Sequence, residues 1–193
     1  MIDFVPFREL ETRRLILRKQ RIEDAEAYHI TLSSDPEVAR YMLWTAYDDL
    51  DRTRRDIEGW VTKYNEVGFY RWIIETKEDG ALIGVIQLVR FDESENTCEF
   101  AYMLGRTYWN RGYMTEALKR VLRFAFIELK LNKVIADHFI QNPGSGKVMQ
   151  KAGMSFTGYK TGVHDNDKGF DTSACYVITK EDFINSDINS YTF

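Results

Sequence analysis

Apolar residues recur along this chain with two periods, and each period predicts a different kind of element. Between Gly112 and Lys130 the apolar residues follow the i, i+3, i+4 spacing of one helix face. They are Met114, Ala117, Leu118, Val121, Leu122, Ala125, Phe126 and Leu129. This spacing predicts an amphipathic helix of about 28 Å, at a rise of about 1.5 Å per residue.

The first third of the chain is predicted to hold one strand and several helices. Leu15–Arg18 follows a charged stretch and has the composition of a strand, whereas residues 23–32 and 49–66 show helical periodicity. Asp35 and Pro36 open a short segment between these two helical stretches, because Asp is a favoured N-cap and Pro a favoured first helical residue.

The remaining apolar runs are short and separated by polar turns, as is typical of strands. Three strands joined by hairpins are predicted over Tyr70–Glu75, Leu82–Leu88 and Cys98–Leu104. The strand Val134–Ile140 follows the long helix, a short helix begins after Asn142–Pro143, and a last hairpin pairs Ser155–Thr161 with Ala174–Ile178. We therefore expect a layered α+β fold with a mixed, mostly antiparallel central sheet flanked by helices.

The composition fits a single folded domain that covers residues 1–193. Apolar residues make up 44% of the chain and charged residues 29%, which excludes disorder. A chain of this length buries about 70% of its unfolded surface around one core. Only three prolines occur, and no Gly/Ser-rich linker divides the chain.

The net charge of −4 disfavours nucleic acid as a partner, because no basic cluster matches a phosphate backbone. A cationic, amine-bearing substrate suits this charge better. Met1–Phe7 has no signal-peptide pattern, and no run reaches the roughly 18 apolar residues of a membrane span, so we expect a cytoplasmic protein without a membrane partner. Cys98 and Cys175 lie in strand-like runs and are predicted as buried thiols without a disulfide.

The segment Tyr108–Ala117 carries the first candidate chemistry. Gly112 falls where the long helix begins, and the first N–H groups of a helix lack intrahelical partners and lie at the positive end of its dipole. Such a turn suits a pyrophosphate, with Arg111 adding positive charge and Thr115 a hydroxyl. The alternative is a capped helix start that binds nothing.

A second candidate segment, Asn142–Met154, begins directly after a strand. Taken together, the motifs resemble the GNAT (general N-acetyltransferase) superfamily, and particularly its branch of ribosomal-protein N-terminal acetyltransferases. The pieces that carry the resemblance are Leu10–Arg18, Glu99–Leu104, Tyr108–Trp109, Gly112–Tyr113, Thr115–Ala117, Asn142–Pro143 and Ser145. Each piece is weak by itself, and their order and spacing make the match specific.

The resemblance implies the GNAT fold, in which the fourth and fifth strands splay apart, with acetyl-CoA as cosubstrate. These strands are Cys98–Leu104 and Val134–Ile140 here. By resemblance, the pantetheine arm of CoA pairs with the backbone at Met103 and Leu104 and hydrogen-bonds the amide of Asn142.

The family's phosphate loop falls on Trp109–Met114, followed by Thr115. The resemblance assigns phosphate binding to Arg111, Gly112, Tyr113, Met114 and Thr115. Met114 departs from the pattern, because a small residue usually stands there and lets the backbone approach phosphate. Asn110 replaces a frequent glycine, which is a mild change because Asn tolerates a positive φ.

Amide formation needs a neutral amine, so a base must take a proton from an ammonium with a pKa of about 8 for an α-amine or about 10 for a lysine. By resemblance, Glu99 is this base, directly or through water, and Ser145 is the hydroxyl that protonates the CoA thiolate. Without those roles, Glu99 is an exposed strand carboxylate and Ser145 is an N-cap or first-turn serine.

No metal site is predicted. Gly144–Lys147 matches only the end of a P-loop, and the stretch from Asp165 to Gly169 lacks the turn glycine and bidentate Glu of a calcium loop. His29, His138 and His164 are too scattered for a metal site and are predicted to be structural. Residues 164–171 form an acidic tip that borders the acceptor site in one interpretation and is a solvated hairpin in the favoured one.

These inferences predict an enzyme that transfers an acetyl group from acetyl-CoA to a primary amine by direct attack in a ternary complex. The acceptor is a protein N-terminus or a small amine. The alternative is a non-catalytic acyl-CoA-binding module, which Met114 keeps open, and a homodimer through sheet edges is a further hypothesis. Residues 1–66 are assigned to the acceptor side, 67–180 to the cofactor-binding core and final hairpin, and 181–193 to a C-terminal tail.

Overall fold

The computed structural model describes residues 1–162, 168–186 and 188. Its strands within these ranges are β1 (Leu10–Glu11), β2 (Leu15–Arg18), β3 (Tyr70–Thr76), β4 (Leu82–Asp92), β5 (Thr97–Leu104), β6 (Lys133–Phe139), β7 (Ser155–Thr161) and β8 (Thr172–Thr179). They form one sheet in the order β1-β2-β3-β4-β5-β6-β8-β7. The neighbours β5 and β6 are parallel, and the other pairs are antiparallel.

The α-helices of the described ranges are α1 (Ala25–Tyr28), α2 (Pro36–Ala39), α3 (Leu50–Thr62), α4 (Tyr113–Ile127), α5 (Pro143–Lys151) and α6 (Lys180–Asn185). Short 3₁₀ turns lie at Ile22–Asp24, Lys63–Asn65 and Arg106–Tyr108, and a π-helical turn lies at His29–Ser33. The predicted start of α2 is confirmed: Asp35 is the N-cap, Pro36 is the first helical residue, and the Asp35 side chain accepts from the Glu37 N–H at 2.9 Å.

Helices cover both faces of the sheet. In β3, Tyr70, Trp72 and Ile74 join the larger core with α4, whereas Ile73 joins a second core with α1 and α3. The predicted apolar stripe of α4, from Met114 to Leu129, lies in the larger core. Each large apolar side chain buried in this way contributes about 1.5–3 kcal/mol. This burial fixes α4 against the sheet, and with it the position of the N-terminus of α4.

The predicted fold class, with its mixed and mostly antiparallel sheet, is confirmed. The helical run 23–32 is present, but it changes from 3₁₀ through α1 to the π turn rather than forming one α-helix. The segment predicted as a tail begins with α6, which stacks Phe183 on Phe126 at a centroid distance of 4.9 Å. Thr179 and Asp182 cap this helix through reciprocal hydrogen bonds.

Cys98 and Cys175 are buried free thiols, as predicted, and burial raises the pKa of both. Within the described ranges, no helix has the length and apolar character that crossing a membrane requires.

Candidate active site

The strands β5 and β6 are paired only at their first residues. Their last registered pair is Glu99 with Ile135, although β5 continues to Leu104 and β6 to Phe139. The strands then diverge, and a cleft of about 800 Å³ opens beside them. The predicted splay of these two strands is therefore confirmed.

Successive residues of β5 direct their backbone groups to opposite sides. Met103 is registered with Val85 of β4, and the Gly105 N–H donates to the Ile83 carbonyl at 2.8 Å. This alternation turns the N–H and C=O of residues 101 and 103 toward β4. The Met103 carbonyl also lies only 2.6 Å from where a Cβ would stand on Gly84. The backbone of Met103 is thus occupied by the sheet.

The backbone groups of Tyr102 and Leu104 face the other way, across the cleft. The Leu104 carbonyl accepts a hydrogen bond from Trp109 Nε1 at 2.7 Å. The open edge is predicted at Met103 and Leu104, but the structure places it at Tyr102 and Leu104. The prediction for Met103 is therefore wrong by one residue. The sequence does not reveal this phase, because it depends on the register with β4.

The predicted phosphate loop precedes α4 and uses the left-handed region of backbone space twice. Asn110 has a φ of 59° and Gly112 a φ of 78°, as the sequence allows. The Glu116 N–H donates to the Gly112 carbonyl at 3.1 Å, so the N–H groups of residues 113–115 precede the helical hydrogen-bond ladder. Thr115 lines the cleft beside them.

The other predicted loop residues divide between the core and the surface. Met114 stands where a small residue is usual, and it lines the cleft, but it is 4% exposed and its side chain packs in the larger core. Tyr113 is buried beside it. The exposed Arg111 guanidinium lies 5.2 Å from the Tyr113 ring centroid and 6.0 Å from that of Tyr108. The loop therefore presents backbone N–H groups and one cation.

Ser145 lies in the first turn of α5 with its Oγ 2.8 Å from the Tyr102 hydroxyl. The Tyr102 hydroxyl also lies 3.1 Å from the Ser145 carbonyl, so its single proton can be donated to either the carbonyl or Oγ of Ser145. The N-cap of α5 is Asn142, whose Oδ1 accepts from the Ser145 N–H at 3.3 Å. Burial raises the pKa of the Tyr102 phenol, so this hydroxyl stays protonated at neutral pH. The predicted serine is thus paired with a partly buried tyrosine that sequence reasoning missed.

Glu99 lies where β5 parts from β6 and lines the cleft. Its carboxylate accepts a hydrogen bond from Arg90 Nη1, and its side chain is 28% exposed. Because residues 99 and 102 project from opposite faces of β5, the carboxylate and the Tyr102–Ser145 pair approach the cleft from different sides. An amine that transfers a proton to Glu99 competes with Arg90 for the carboxylate.

Sequence reasoning also missed a buried arginine behind the part of the cleft wall that holds Gln87. Arg71 is 4% exposed, lies 3.9 Å from the Trp60 ring centroid and donates to Tyr28 Oη and Gln87 Oε1, both at 3.0 Å. Because arginine only donates, Gln87 must turn its oxygen to Arg71 and its NH₂ group elsewhere. Gln87 lines the cleft, so a side-chain donor is held on that wall.

Lys168 holds another segment of the cleft wall in place through hydrogen bonds. Its ammonium donates to the carbonyls of Ala39, Met42 and Trp44 at 2.6, 2.9 and 2.7 Å. Met42 lines the cleft, so this clamp holds a cleft segment in place. The first half of the predicted acidic tip, residues 164–167 with Asp165 and Asp167, lies outside the described residues.

The described residues suit an elongated anionic ligand with an amide-containing arm. Tyr102 and Leu104 offer an open strand edge, and the start of α4 offers N–H groups with Arg111. A Cβ on Gly112 would meet only Arg14 Nη2, at 3.5 Å, so the space above this turn is open. Within residues 1–162, 168–186 and 188, no group of three His, Cys, Asp or Glu side chains could hold a metal.

Comparison with known proteins identifies the family. A family model described as an acetyltransferase (GNAT) domain matches residues 14–155. An uncharacterized N-acetyltransferase, p20, of Bacillus licheniformis is 33% identical over 140 residues, which cover 72% of this chain and 78% of that protein.

Two solved structures share the fold. A GNAT-family acetyltransferase from Bacillus anthracis superposes with a TM-score of 0.79 at 26% identity, over 90% of this chain and 99% of its own. A spermidine N-acetyltransferase from Vibrio cholerae, in complex with CoA and spermine, gives a TM-score of 0.76 at 18% identity, over 90% of this chain and 100% of its own. With the diverging strands and the loop before α4, these matches show that the chain is an acetyltransferase of the GNAT family.

Proposed function

We propose that this acetyltransferase takes its acetyl group from acetyl-CoA and transfers it to a primary amine by direct attack in a ternary complex. One observation carries the proposal: β5 parts from β6 and leaves the backbone of Tyr102 open beside the N-terminus of α4. A similarly folded protein was solved in complex with CoA. When bound, acetyl-CoA supplies an activated acetyl thioester.

The donor is held by backbone groups in this proposal. The N–H and C=O of Tyr102 and the N–H of Leu104 pair with the amides of the pantetheine arm, as an added strand pairs with a sheet edge. Asn142 lines the opposite wall and contributes its side-chain NH₂, since its Oδ1 already caps α5. The N–H groups of residues 113–115, together with Arg111, bind the pyrophosphate.

Tyr102 and Ser145 supply the proton that the leaving thiolate requires. When Tyr102 donates to Ser145 Oγ, the serine O–H is free to donate into the cleft. The high pKa of the buried phenol keeps this donor protonated. A positioned general acid of this kind contributes about 10²–10⁴-fold to the rate.

Glu99 accepts the proton of the attacking ammonium, directly or through water. Glu99→Gln removes this acceptor while preserving the size of the side chain, so we expect a lower kcat with little change in acetyl-CoA affinity. The loss should be largest at low pH, where more of the amine is protonated. Steady-state pH profiles and CoA titrations test this role, and equal kcat values for the two proteins across the pH range would remove Glu99 as the base.

The acceptor is a protein N-terminus or a small amine in this proposal, and the cell compartment is the cytoplasm. The similarly folded protein solved with spermine is named a spermidine N-acetyltransferase, and a cationic small amine is accordingly one of the two proposed acceptors. The net charge of −4 suits either acceptor.

Initial-rate kinetics test direct attack. Varying acetyl-CoA at several amine concentrations should give intersecting double-reciprocal lines, because both substrates must be bound before the first product leaves. Intact mass after incubation with acetyl-CoA alone should show no added acetyl group. Parallel lines with an acetylated protein would contradict a ternary complex and indicate a covalent intermediate.

A further inference from the structure

The turn between β1 and β2 contacts the first turn of α4 through two side chains and the backbone. Arg14 lies in this turn, about one hundred residues before the helix in sequence. Its Nε donates to Glu116 Oε2 at 2.7 Å, and its backbone N–H donates to Glu116 Oε1 at 2.9 Å. Thr12 Oγ1 donates to the same Oε1 at 2.6 Å. The Glu116 carboxylate is thus bound by three donors from one turn.

Arg14 also contacts the loop before α4 directly. Its Nη1 donates to the Arg111 carbonyl at 3.1 Å, and its guanidinium carbon lies 4.4 Å from the centroid of the Tyr113 ring. Its Nη2 lies 3.5 Å from where a Cβ would stand on Gly112 and has no hydrogen-bond partner among the described residues. One side chain therefore holds the residues on both sides of Gly112.

The negative charge of Glu116 affects anion binding at the N-terminus of α4. An acidic residue in the first turn stabilises a helix, but its charge opposes an anionic ligand bound at the same end. Its side chain is 10% exposed, so water screens this charge poorly. Burial opposes its ionisation, yet hydrogen bonds from Thr12 and Arg14 outweigh burial and lower the pKa of Glu116. The carboxylate is therefore charged at neutral pH, and Arg14 is the cation that neutralises it.

We propose that Arg14 is a positioning residue for the phosphate-binding loop: it fixes the Arg111 carbonyl, packs on Tyr113 and cancels the charge of Glu116. The inference rests on the proposed binding of the pyrophosphate of acetyl-CoA at this loop. Arg14 acts on the donor's phosphates through the loop and has no part in the transfer itself. Its effect should therefore depend on whether the donor carries phosphates.

The experiment compares acetyl-CoA with S-acetyl-pantetheine, which has the same thioester arm and no phosphate. Arg14→Met keeps most of the stem and removes the charge. It should lower kcat/KM for acetyl-CoA by about 10–100-fold, as expected for losing hydrogen bonds to charged groups. It should change kcat/KM for S-acetyl-pantetheine by less than about twofold. Arg13→Met removes the same charge from the exposed neighbouring residue and should change neither donor.

Two further variants extend the test, and the comparison of the two donors applies to the first of them, Arg14→Lys, even if Arg14→Met folds poorly. Arg14→Lys retains a cation but cannot bond Glu116 and Arg111 at once, so it should lose less acetyl-CoA activity than Arg14→Met. In the double variant Arg14→Met with Glu116→Gln the unpaired carboxylate is gone, so acetyl-CoA activity should rise at least about threefold above that of Arg14→Met alone.

Each contrary outcome has a distinct meaning. An equal loss for both donors would overturn the positioning role and leave Arg14 a merely structural residue. An unchanged kcat/KM for acetyl-CoA in Arg14→Met would also overturn it. Equal kcat/KM values for both donors in the unsubstituted protein would show that the loop contributes nothing to binding the pyrophosphate. The proposed donor site would then fail together with this inference.

Discussion

In the proposed function, one side of the cleft binds the acetyl donor and the other binds the amine acceptor, and the two sides use different parts of the chain. The donor side consists mainly of backbone groups: the edge of β5 at Tyr102 and the N–H groups at the start of α4. The acceptor side consists of side chains and clamped segments, such as Gln87 held by Arg71 and residues 39–44 held by Lys168. The donor side is therefore set by chain conformation and the acceptor side by side-chain packing.

This difference explains why the donor side can be predicted from the sequence and the acceptor side cannot. A backbone site needs turns with special φ values, and these leave recognisable residues such as Asn110 and Gly112. A side-chain site such as Gln87 needs only that a neighbour fix its orientation, and that neighbour follows no local pattern. Substitutions on the two sides should therefore separate donor effects from acceptor effects.

The largest effect is expected at the donor loop. Gly112→Glu places a side chain on a residue with a φ of 78° and a negative charge where phosphate is proposed to bind. Backbone strain of about 1–2 kcal/mol adds to charge repulsion, so CoA affinity should fall by about 100-fold or more. Isothermal titration with CoA measures this loss. Gly59→Glu, on an open face of α3, is the matched control and should bind CoA normally; unchanged affinity in Gly112→Glu would show that the loop is misplaced.

The next effect is expected at the proposed proton donor. Tyr102→Phe removes the hydroxyl that contacts Ser145 and should lower kcat by about 100-fold with little change in CoA affinity. Because burial raises the pKa of this phenol above its ordinary value of about 10, it does not ionise at neutral pH. The ratio of wild-type to variant kcat should therefore stay constant between about pH 6 and 9. A ratio that falls to one in this interval would contradict the role.

A smaller effect is expected where α5 packs on β6, between the two sides. A Cβ on Gly146 would lie 2.5 Å from His138 Nε2 and 3.2 Å from Tyr176 Oη, so in Gly146→Ala either α5 or the His138 ring, which stacks on Tyr176, must shift. We expect a loss of about 1–3 kcal/mol in the free energy of unfolding, read from denaturant titration. Gly144→Ala is the matched control, because its Cβ would be 3.6 Å from the nearest atom, Asn142 Oδ1. Equal stabilities for the two variants would contradict this packing.

The smallest effect is expected at the acceptor-side clamp. Lys168→Met removes the ammonium that donates hydrogen bonds to three carbonyls, and this loosens residues 39–44. We expect the acceptor KM to rise about fivefold, which corresponds to a loss of about 1 kcal/mol in binding free energy, while the acetyl-CoA KM is unchanged. Lys160→Met, an exposed lysine on β7, should change neither constant. A matching rise in the acetyl-CoA KM would show that the two sides are not separable.

Elements with strong periodicity were predictable from the sequence. The predicted α4 and strands β3 to β5 match the structure closely, because their apolar spacing is regular and their turns carry polar residues and glycine. The short α6 was not predicted, although Thr179 and Asp182 form a capping box that signals its start.

The site was predictable only in part, for physical reasons. The loop around Gly112 and the first turn of α5 are local features, and both have the expected geometry. The contact between Tyr102 and Ser145 joins residues 43 positions apart and exists only because β5 and α5 meet in the fold. Which backbone groups of β5 face the cleft depends on the register with β4, and a strand's composition does not encode that phase.

The most direct test of acetyl transfer in this cleft is a titration with acetyl-CoA followed by measurement of CoA thiol release over a panel of amines. The panel should hold a short peptide with a free N-terminus, an aminoglycoside, a polyamine and an amino acid. We expect saturable binding of acetyl-CoA, and thiol release that requires both the protein and one of these amines. Binding without amine-dependent release would contradict catalysis, and absence of binding would contradict the donor site itself.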